Sequence, residues 1–317
     1  MNWLRKLARY TGISAFSAFV IAFIQGCTAK ESAAGVIAIF LLALGGCNAF
    51  TDIFVVNFGN DQFVTSKLDG SQEINFGNPG NQLDRPLDIA FDPFSNRFLV
   101  ADFGNNRIVA LNRDGTFSAN LGNFGGILNR PRGIAVDADA GLMYVTGGDG
   151  GTSYLAVANL DGTGASSFGD FGGLLQVGQR IALDFSNRKI LVSSGATDTV
   201  VRVNFDDTGA QVLSLGGLLD RPRGIAVDER NNRMYVVNEL VDDVVVAKLN
   251  GTNSTIIPNP GGFLDRPFDI ALDLGNGKMY IVSNNNRVVV ANLDGSGAVN
   301  LGNLAGALDE PRGIALK

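Results

Sequence analysis

The chain has 317 residues, of which 45% are hydrophobic and 18% are charged, enough to bury a substantial core in one large domain. Asp and Glu outnumber Lys and Arg by 31 to 25, a net charge of −6 that argues against a general nucleic-acid binder, because phosphate contacts need a basic face. The chain contains no histidine, which excludes Ser-His-Asp triads, histidine general bases and the usual zinc sites.

The first fifty residues predict export or membrane attachment, because two apolar runs follow a basic start. The sequence LLALGGC, which ends at Cys47, resembles a bacterial lipobox, whose cysteine is lipidated and becomes the mature N-terminus. Cys27, in IQGC, is a second and poorer match, and an uncleaved membrane anchor is the alternative. We therefore expect a targeting segment over residues 1–50 and a folded domain over residues 51–317, anchored in a bacterial cell envelope.

One short phrase, such as RPRGIAVD, recurs six times in the remaining sequence. Its central isoleucine falls at Ile89, Ile134, Ile181, Ile225, Ile270 and Ile314. The steps between them are 45, 47, 44, 45 and 44 residues, which is the length of a four-stranded propeller blade. Six phrases predict six blades.

Each repeat reads as four strands in order. A polar turn follows the phrase, and then come two β-rich runs such as MYVVN and NRVVVAN. The second run ends in a hairpin signal, the Asp-Gly or Asn-Gly dipeptides at Asp69, Asp114, Asp161, Asn250 and Asp294. These dipeptides predict type I′ turns, in which both central residues need positive φ. A last strand and a glycine-rich loop then lead to the next phrase.

The two ends of the repeat region complement each other. Residues 53–80 supply three strands of a blade that lacks its first strand, while residues 308–317 supply a first strand with nothing after it. Together they complete one blade, which removes exposed sheet edges. The sequence therefore predicts an all-β fold, a six-bladed β-propeller of four-stranded antiparallel blades whose N- and C-terminal strands share one blade, and we expect a monomer.

The repeat resembles the NHL repeat family, whose units carry a Pro-x-Gly-Ile-Ala-Val-Asp strand, a Tyr-Val-Ala-Asp strand and Asn-Asn-Arg-Ile. The match covers residues 52–317, and the ANLDG phrases at 158–162 and 291–295 are also similar to the YWTD propellers of lipoprotein receptors. The resemblance implies a six-bladed propeller. It departs where the family's second strand ends in Asp, because that column here reads Asn57, Asp102, Gly147, Ser194, Asn238 and Ser283. An Asp-based network between blades is therefore doubtful.

Arginines occupy every second blade at one end of the channel. Two residues before each repeat isoleucine, the ring reads Leu87, Arg132, Gln179, Arg223, Phe268 and Arg312. Guanidinium groups bind carboxylate, phosphate or sulfate in bidentate fashion, so this column predicts a site for an anionic ligand or for acidic side chains of a protein partner. Duplication of a two-blade unit, with each arginine paired to an aspartate or a carbonyl of the next blade, is the structural alternative.

The neighbouring column supports a second hypothesis. The residues just before each isoleucine read Asp88, Gly133, Arg180, Gly224, Asp269 and Gly313, which should lie near the channel mouth. Calcium-dependent lactonases on six-bladed propellers use only carboxylate and amide oxygens, so Asp88 and Asp269 are candidate calcium ligands. Arg180, across from both, would oppose a metal, and as part of the mouth it is also a candidate ligand-binding residue.

Two further columns have structural explanations. The aspartates that end the phrase, Asp92, Asp137, Asp184, Asp228 and Asp273, are expected to cap the following turns. The arginines before the phrase proline, Arg85, Arg130, Arg221 and Arg266, are expected to rigidify the loop that leads into the first strand.

Together these features favour an exported, lipid-anchored propeller that binds a protein or an anionic small molecule or saccharide at the channel mouth, without a cofactor and without nucleic acid. A calcium-dependent, lactonase-like hydrolase is one alternative. A structural envelope protein with lateral partners is another.

Overall fold

The computed structural model describes residues 52–149 and 151–317. In this part of the chain, 24 strands form six four-stranded antiparallel sheets. We number these blades from the first complete repeat. Adjacent innermost strands pack against each other in a closed cycle, which confirms the predicted all-β, six-bladed propeller.

The first three blades follow one another along the chain. Blade 1 consists of β4 (Pro86–Asp92), β5 (Arg97–Asp102), β6 (Arg107–Asn112) and β7 (Phe117–Gly122). Blade 2 consists of β8 (Pro131–Asp137), β9 (Leu142–Asp149), β10 (Thr152–Asn159) and β11 (Ser166–Gly169). Blade 3 consists of β12 (Gly178–Asp184), β13 (Lys189–Ser194), β14 (Thr199–Asn204) and β15 (Gln211–Leu213).

The other three complete the ring. Blade 4 consists of β16 (Pro222–Asp228), β17 (Arg233–Asn238), β18 (Asp243–Lys248) and β19 (Thr255–Ile257). Blade 5 consists of β20 (Pro267–Asp273), β21 (Lys278–Ser283), β22 (Arg287–Asn292) and β23 (Val299–Asn300). Blade 6 consists of β24 (Pro311–Leu316), β1 (Asp52–Asn57), β2 (Phe63–Lys67) and β3 (Ile74–Asn75). Short 3-10 turns lie at Pro79–Asn81, Phe124–Gly126, Leu215–Gly217 and Pro260–Gly262.

Blade 6 joins the two ends of the folded region as predicted. β1 pairs antiparallel with β24, in a register that runs from Ile53 opposite Leu316 to Asn57 opposite Pro311. The seam extends beyond the strands, because the Asp52 and Lys317 backbones exchange hydrogen bonds of 2.7 and 3.0 Å. No inner strand is left unpaired at the ends of the repeat region.

The hydrophobic core lies between neighbouring blades rather than inside any one of them. Leu99 and Ile108 of blade 1, for example, pack in one cluster with Ile134 and Met143 of blade 2. The middle two strands of each blade are buried on both faces, which is why their sequences are continuous runs of β-branched and other apolar residues. A blade therefore has no core without its neighbours.

The hairpin turns differ from the type I′ prediction. Gly70 has φ of 80°, but Asp69 is not among the residues with positive φ, and the Gly70 N–H donates to the Lys67 carbonyl. This is a type I turn followed by a left-handed glycine. The Asp69 carboxylate accepts hydrogen bonds from the N–H and hydroxyl of Ser71, at 2.9 and 2.6 Å. The side chain stabilises a three-residue loop where the dipeptide alone suggested two.

The loops that lead into the first strands are fastened to the preceding blade. The residue before the phrase proline has positive φ at Arg85 and at Arg130, and its N–H donates to a side chain of the previous blade. The six donor–acceptor pairs, at 2.5 to 2.8 Å, are Arg85–Asp61, Arg130–Asn106, Val177–Ser153, Arg221–Asp198, Arg266–Asp242 and Glu310–Asn286. The leading loops are therefore rigidified as expected, but by the backbone N–H at this position, which Val177 and Glu310 supply as well as the arginines do.

The other structural columns are explained as well. Asp273 accepts hydrogen bonds from the backbone and the side-chain amide of Asn276, so the predicted turn cap is confirmed. The last residue of the second strand stabilises the loop that leads into the first strand of the same blade. In blade 1, for example, Asp102 accepts the Asp84 N–H at 2.7 Å. Ser283 does the same for Asp265, so an Asp is not required there.

The targeting segment predicted over residues 1–50, with Cys27 and Cys47, lies outside the described residues. Within the described residues, none of the helical turns is long and apolar enough to cross a membrane.

Candidate functional site at the channel mouth

The innermost strands begin at one end of the channel, which we call the mouth. Arg180 belongs to β12, the innermost strand of blade 3, and its side chain crosses this end of the channel. The residue is only 4% exposed. Its guanidinium donates to the backbone carbonyls of Arg132 and Arg312, both at 2.6 Å, and to that of Leu87. These carbonyls belong to blades 2, 6 and 1, so one side chain links four of the six blades.

Two buried carboxylates face the same guanidinium. Arg180 Nε lies 3.5 Å from Asp88 Oδ1 and 3.7 Å from Asp269 Oδ1. The Oδ1 atom of each carboxylate accepts the N–H of the isoleucine that follows it in the chain. The Oδ2 atom accepts the N–H of the repeat isoleucine in the next blade, which is Ile134 for Asp88 and Ile314 for Asp269. We call Arg180, Asp88 and Asp269 the plug. It closes the channel just inside the mouth and joins blade 1 to blade 2 and blade 5 to blade 6.

The plug holds two carboxyl groups against one guanidinium. Burial raises the pKa of Asp88, and the Arg180 charge opposes that rise. Burial together with the Asp88 charge raises the pKa of Asp269 to about 8. At neutral pH, we expect the two carboxyl groups to share one proton, so that a single negative charge faces Arg180.

Space at the axis explains why side chains alternate with glycine around the ring. A Cβ on Gly133 would lie 2.2 Å from the Gln179 carbonyl oxygen. A Cβ on Gly224 or Gly313 would lie 2.6 or 2.7 Å from the Cα of the Asp that follows in the next blade. The axis therefore accommodates three side chains, one from every second blade. The alternation of glycine with larger residues in this column, for which the sequence suggested duplication of a two-blade unit, has a packing cause.

The plug does not fit a calcium ion. Calcium takes six to eight oxygen ligands, whereas Asp88 and Asp269 have a guanidinium against them and all four carboxylate oxygens already accept backbone N–H groups. Among the described residues, no group of three or more His, Cys, Asp or Glu side chains is arranged to hold a metal.

Outside the plug lies the predicted arginine ring of Arg132, Arg223 and Arg312, each stacked over an aromatic ring. The Arg132 guanidinium carbon lies 5.1 Å from the centroid of Phe103. Those of Arg223 and Arg312 lie 5.5 and 3.5 Å from that of Phe268. Cation–π contacts of this kind hold planar guanidinium groups in a fixed orientation.

The three arginines are not equivalent, contrary to a three-fold basic ring. Arg223 pairs with Glu239 at 2.6 Å, and Arg312 pairs with Glu310 at 2.8 Å. These two arginines are therefore paired inside the protein, but with glutamates of their own blades and not with an aspartate or carbonyl of the next blade. Among the described residues, no carboxylate lies within 4 Å of Arg132 and none of its guanidinium N–H groups makes a hydrogen bond.

Arg132 has a strongly positive environment. Burial is the first cause that lowers its pKa to about 10, and the charges of Arg223, Arg180 and Arg130 lower it further. Asp149 opposes this effect, but Asp149 is paired with Arg130 at 2.7 Å. Arg132 remains protonated at neutral pH, so the mouth holds a partly buried cation that forms no ion pair with any described residue.

Arg132 also lines a cavity of about 380 Å³ between blades 2 and 3. The other walls come from the hairpin that joins β9 to β10 and from the loop that leads into β12, with Asp170 and Gln176 among the polar side chains.

Sequence reasoning placed all six candidate residues at one end of the channel, and the structure brings them into two layers. It missed Glu239 and Glu310, which decide which arginine stays unpaired. Glu310 stands before the phrase proline where four of the other five blades carry Arg, and Glu239 follows the second strand of blade 4. The only signal was this departure of each glutamate from the repeat.

Comparisons with known proteins define the fold. No family model and no curated protein matches this chain, so its resemblance to NHL repeats stays a prediction. A chain from the crystal structure of a nidogen/laminin complex superimposes with a TM-score of 0.70 at 16% identity, over 84% of this chain and 98% of that one. A functionally unknown protein from Desulfotomaculum acetoxidans DSM 771 superimposes with a TM-score of 0.53 at 16% identity, over 78% of each chain. At 16% identity, these likenesses show a shared fold alone.

Proposed function

We propose that this protein is a binding module whose channel mouth receives an acidic group of a protein partner on Arg132. The observation that carries the proposal is the unpaired Arg132 guanidinium, which lacks a hydrogen bond and an ion pair among the described residues. A desolvated charge without a partner is costly, so a carboxylate from outside would restore interactions that the fold does not supply.

The surroundings of Arg132 favour binding over a structural role. Stacking on Phe103 fixes the guanidinium plane, and an oriented guanidinium binds a carboxylate with less loss of side-chain entropy. The neighbouring arginines raise the local positive potential on an acidic protein, which attracts anions into a concave site. The nidogen chain with the same fold was solved in a complex with laminin, which supports a protein partner over a small ligand.

The lateral surface supports partner binding less strongly. The outermost strands expose single apolar side chains, such as Ile74, Val212, Ile256 and Val299, each about half exposed. Isolated exposed apolar residues are common on soluble proteins and do not by themselves mark an interface. A structural envelope role through lateral partners therefore has no comparable observation. The calcium-dependent hydrolase is disfavoured because the plug, which holds both candidate aspartates, does not fit a calcium ion.

The test is binding of a fluorescently labelled acidic peptide, such as a ten-residue poly-glutamate, measured by fluorescence anisotropy at two salt concentrations. Arg132→Gln should weaken binding at least tenfold, because it removes the charge and keeps a similar volume. Arg230→Gln makes the same change in net charge at an exposed position on the opposite face and should leave binding unchanged. Equal binding by Arg132→Gln and wild type would refute the proposal.

The proposed location is the bacterial cell envelope, with a lipid on Cys47. It rests on the sequence around that cysteine. Metabolic labelling with a palmitate analogue should mark the wild-type protein, and Cys47→Ser should abolish the label, whereas Cys27→Ser should not. Label that is lost only in Cys27→Ser would move the processing site, and no label in any form would exclude lipidation.

A further inference from the structure

The repeat is least regular between blades 2 and 3. The step from Ile134 to Ile181 is 47 residues, the longest of the five. β9 and β10 have eight residues each, against five or six for the corresponding strands of the other blades, so their hairpin extends further at the mouth. Insertions in a single repeat commonly serve a binding face, because the fold does not need them.

The cavity of about 380 Å³ lies at this irregular junction. Its walls include Arg132 of blade 2, and Asp170, Leu175, Gln176 and Val177 of the loop that leads into blade 3. A volume of this size is in the range of small-molecule sites. Val177 is partly exposed and gives the cavity an apolar wall, whereas Leu175 is buried.

Three charged side chains line this cavity, Arg132, Asp149 and Asp170. Asp149 pairs with Arg130, whereas Arg132 and Asp170 do not neutralise each other. Arg132 and Asp170 are further apart than 4 Å, and Asp170 forms no salt bridge with any described residue. One oxygen of Asp170 accepts the Gly172 N–H at 3.1 Å, and the carboxylate makes no other hydrogen bond within the described residues. The scaffold thus presents a cation and an anion separated across one small space.

We infer that this cavity binds a small zwitterion of the α-amino acid class. Its carboxylate pairs with Arg132, its ammonium pairs with Asp170, and its side chain packs against Val177. A molecule with only one of the two charges leaves the other protein charge unpaired, which costs more than the missing contact alone. The site shares Arg132 with the proposed peptide site but uses Asp170, which the peptide does not need.

The experiment is isothermal titration of the purified chain with the twenty free L-amino acids, at concentrations up to about 10 mM. The tightest amino acid is then compared with its deaminated and decarboxylated analogues, each of which should bind at least tenfold more weakly. Asp170→Asn should also weaken binding at least tenfold while its amide oxygen still accepts the Gly172 N–H. Asp139→Asn, an exposed change on the opposite face, is the matched control and should have no effect.

The outcomes separate the two proposals. Asp170→Asn should lose amino acid binding and keep wild-type affinity for the poly-glutamate peptide, whereas Arg132→Gln should lose both. The zwitterion site would be overturned if none of the amino acids gave a heat of binding at the highest concentration. It would also be overturned if the deaminated or decarboxylated analogue bound as tightly as the parent amino acid. Either result would stand even if the peptide binds. Far-UV circular dichroism and urea unfolding confirm that each variant is folded.

Discussion

Asp269→Asn tests the shared proton of the plug. The folded pKa of Asp269 is about 8, well above the value of about 4 for an aspartate in an unfolded chain. Between these values the native state binds more protons than the unfolded state. The free energy of unfolding of the wild type should therefore decrease as the pH rises from about 4 to about 8, by up to about 1.4 kcal/mol per pH unit from this group.

The amide in Asp269→Asn is neutral at every pH and, like a protonated carboxyl, carries hydrogens that it can donate. It accepts through one oxygen only, so either the Ile270 or the Ile314 N–H loses its acceptor. That loss costs about 1–2 kcal/mol at all pH values. We expect the variant to be less stable than the wild type near pH 5 and more stable above the pH at which the two curves cross.

The assay is urea unfolding followed by far-UV circular dichroism, at half-unit steps from pH 5 to pH 9. The quantity of interest is the difference in the free energy of unfolding between variant and wild type, because groups elsewhere contribute equally to both. A difference that does not change with pH would refute the shared proton. The double variant Asp88→Asn/Asp269→Asn leaves Arg180 without a carboxylate, and should be less stable than the wild type throughout this range.

Three further predictions concern the fold around the mouth. Arg180→Met should lower the free energy of unfolding by at least about 3 kcal/mol, because two buried carboxyl groups lose their countercharge and three carbonyls lose a donor. A change below about 1 kcal/mol in urea unfolding would contradict the role of the plug. Gly133→Ala should destabilise the folded protein by more than about 2 kcal/mol, because the new Cβ would lie 2.2 Å from a backbone oxygen. Gly195→Ala should cost much less, because the nearest atom to its Cβ belongs to a glutamine side chain at 3.2 Å. Similar melting temperatures for the two variants would contradict the packing explanation. Deletion of residues 311–317 should abolish cooperative unfolding in calorimetry, because blade 6 loses its innermost strand, and a retained sharp transition would show that closure is not needed.

The fold could be predicted because each blade uses the same solution to the same packing problem. A step of 44 to 47 residues, β-rich runs and complementary ends are properties of the repeat, and they survive wherever a blade packs on its neighbours. The turn type was wrong for a local reason. The carboxylate of Asp69 bonds to Ser71, and this favours a type I turn with a following left-handed glycine over the two-residue turn that the dipeptide suggested.

The chemistry of the mouth depends on residues that leave the repeat. The sequence identified Arg132, Arg223 and Arg312 as a set, because they share a column. Whether each has a partner depends on Glu239 and Glu310, which lie at different positions in their blades. Their distances to the arginines arise from the ring and cannot be derived from spacing along the chain. Likewise, Arg180 reaches the carbonyls of three other blades only because the axis is narrow.

The seam between β24 and β1 also has a mechanical meaning. The strands are antiparallel, and the Asp52 and Lys317 backbones are hydrogen-bonded to each other at the end of the channel opposite the mouth. A force applied to these two ends would peel the strands apart one hydrogen-bonded pair at a time, which is the weakest direction in which to load a sheet. A force between Asp52 and a partner held on Arg132 would instead cross the ring, where many bonds share the load. We therefore expect the folded domain to withstand more force between Asp52 and a partner on Arg132 than between Asp52 and Lys317.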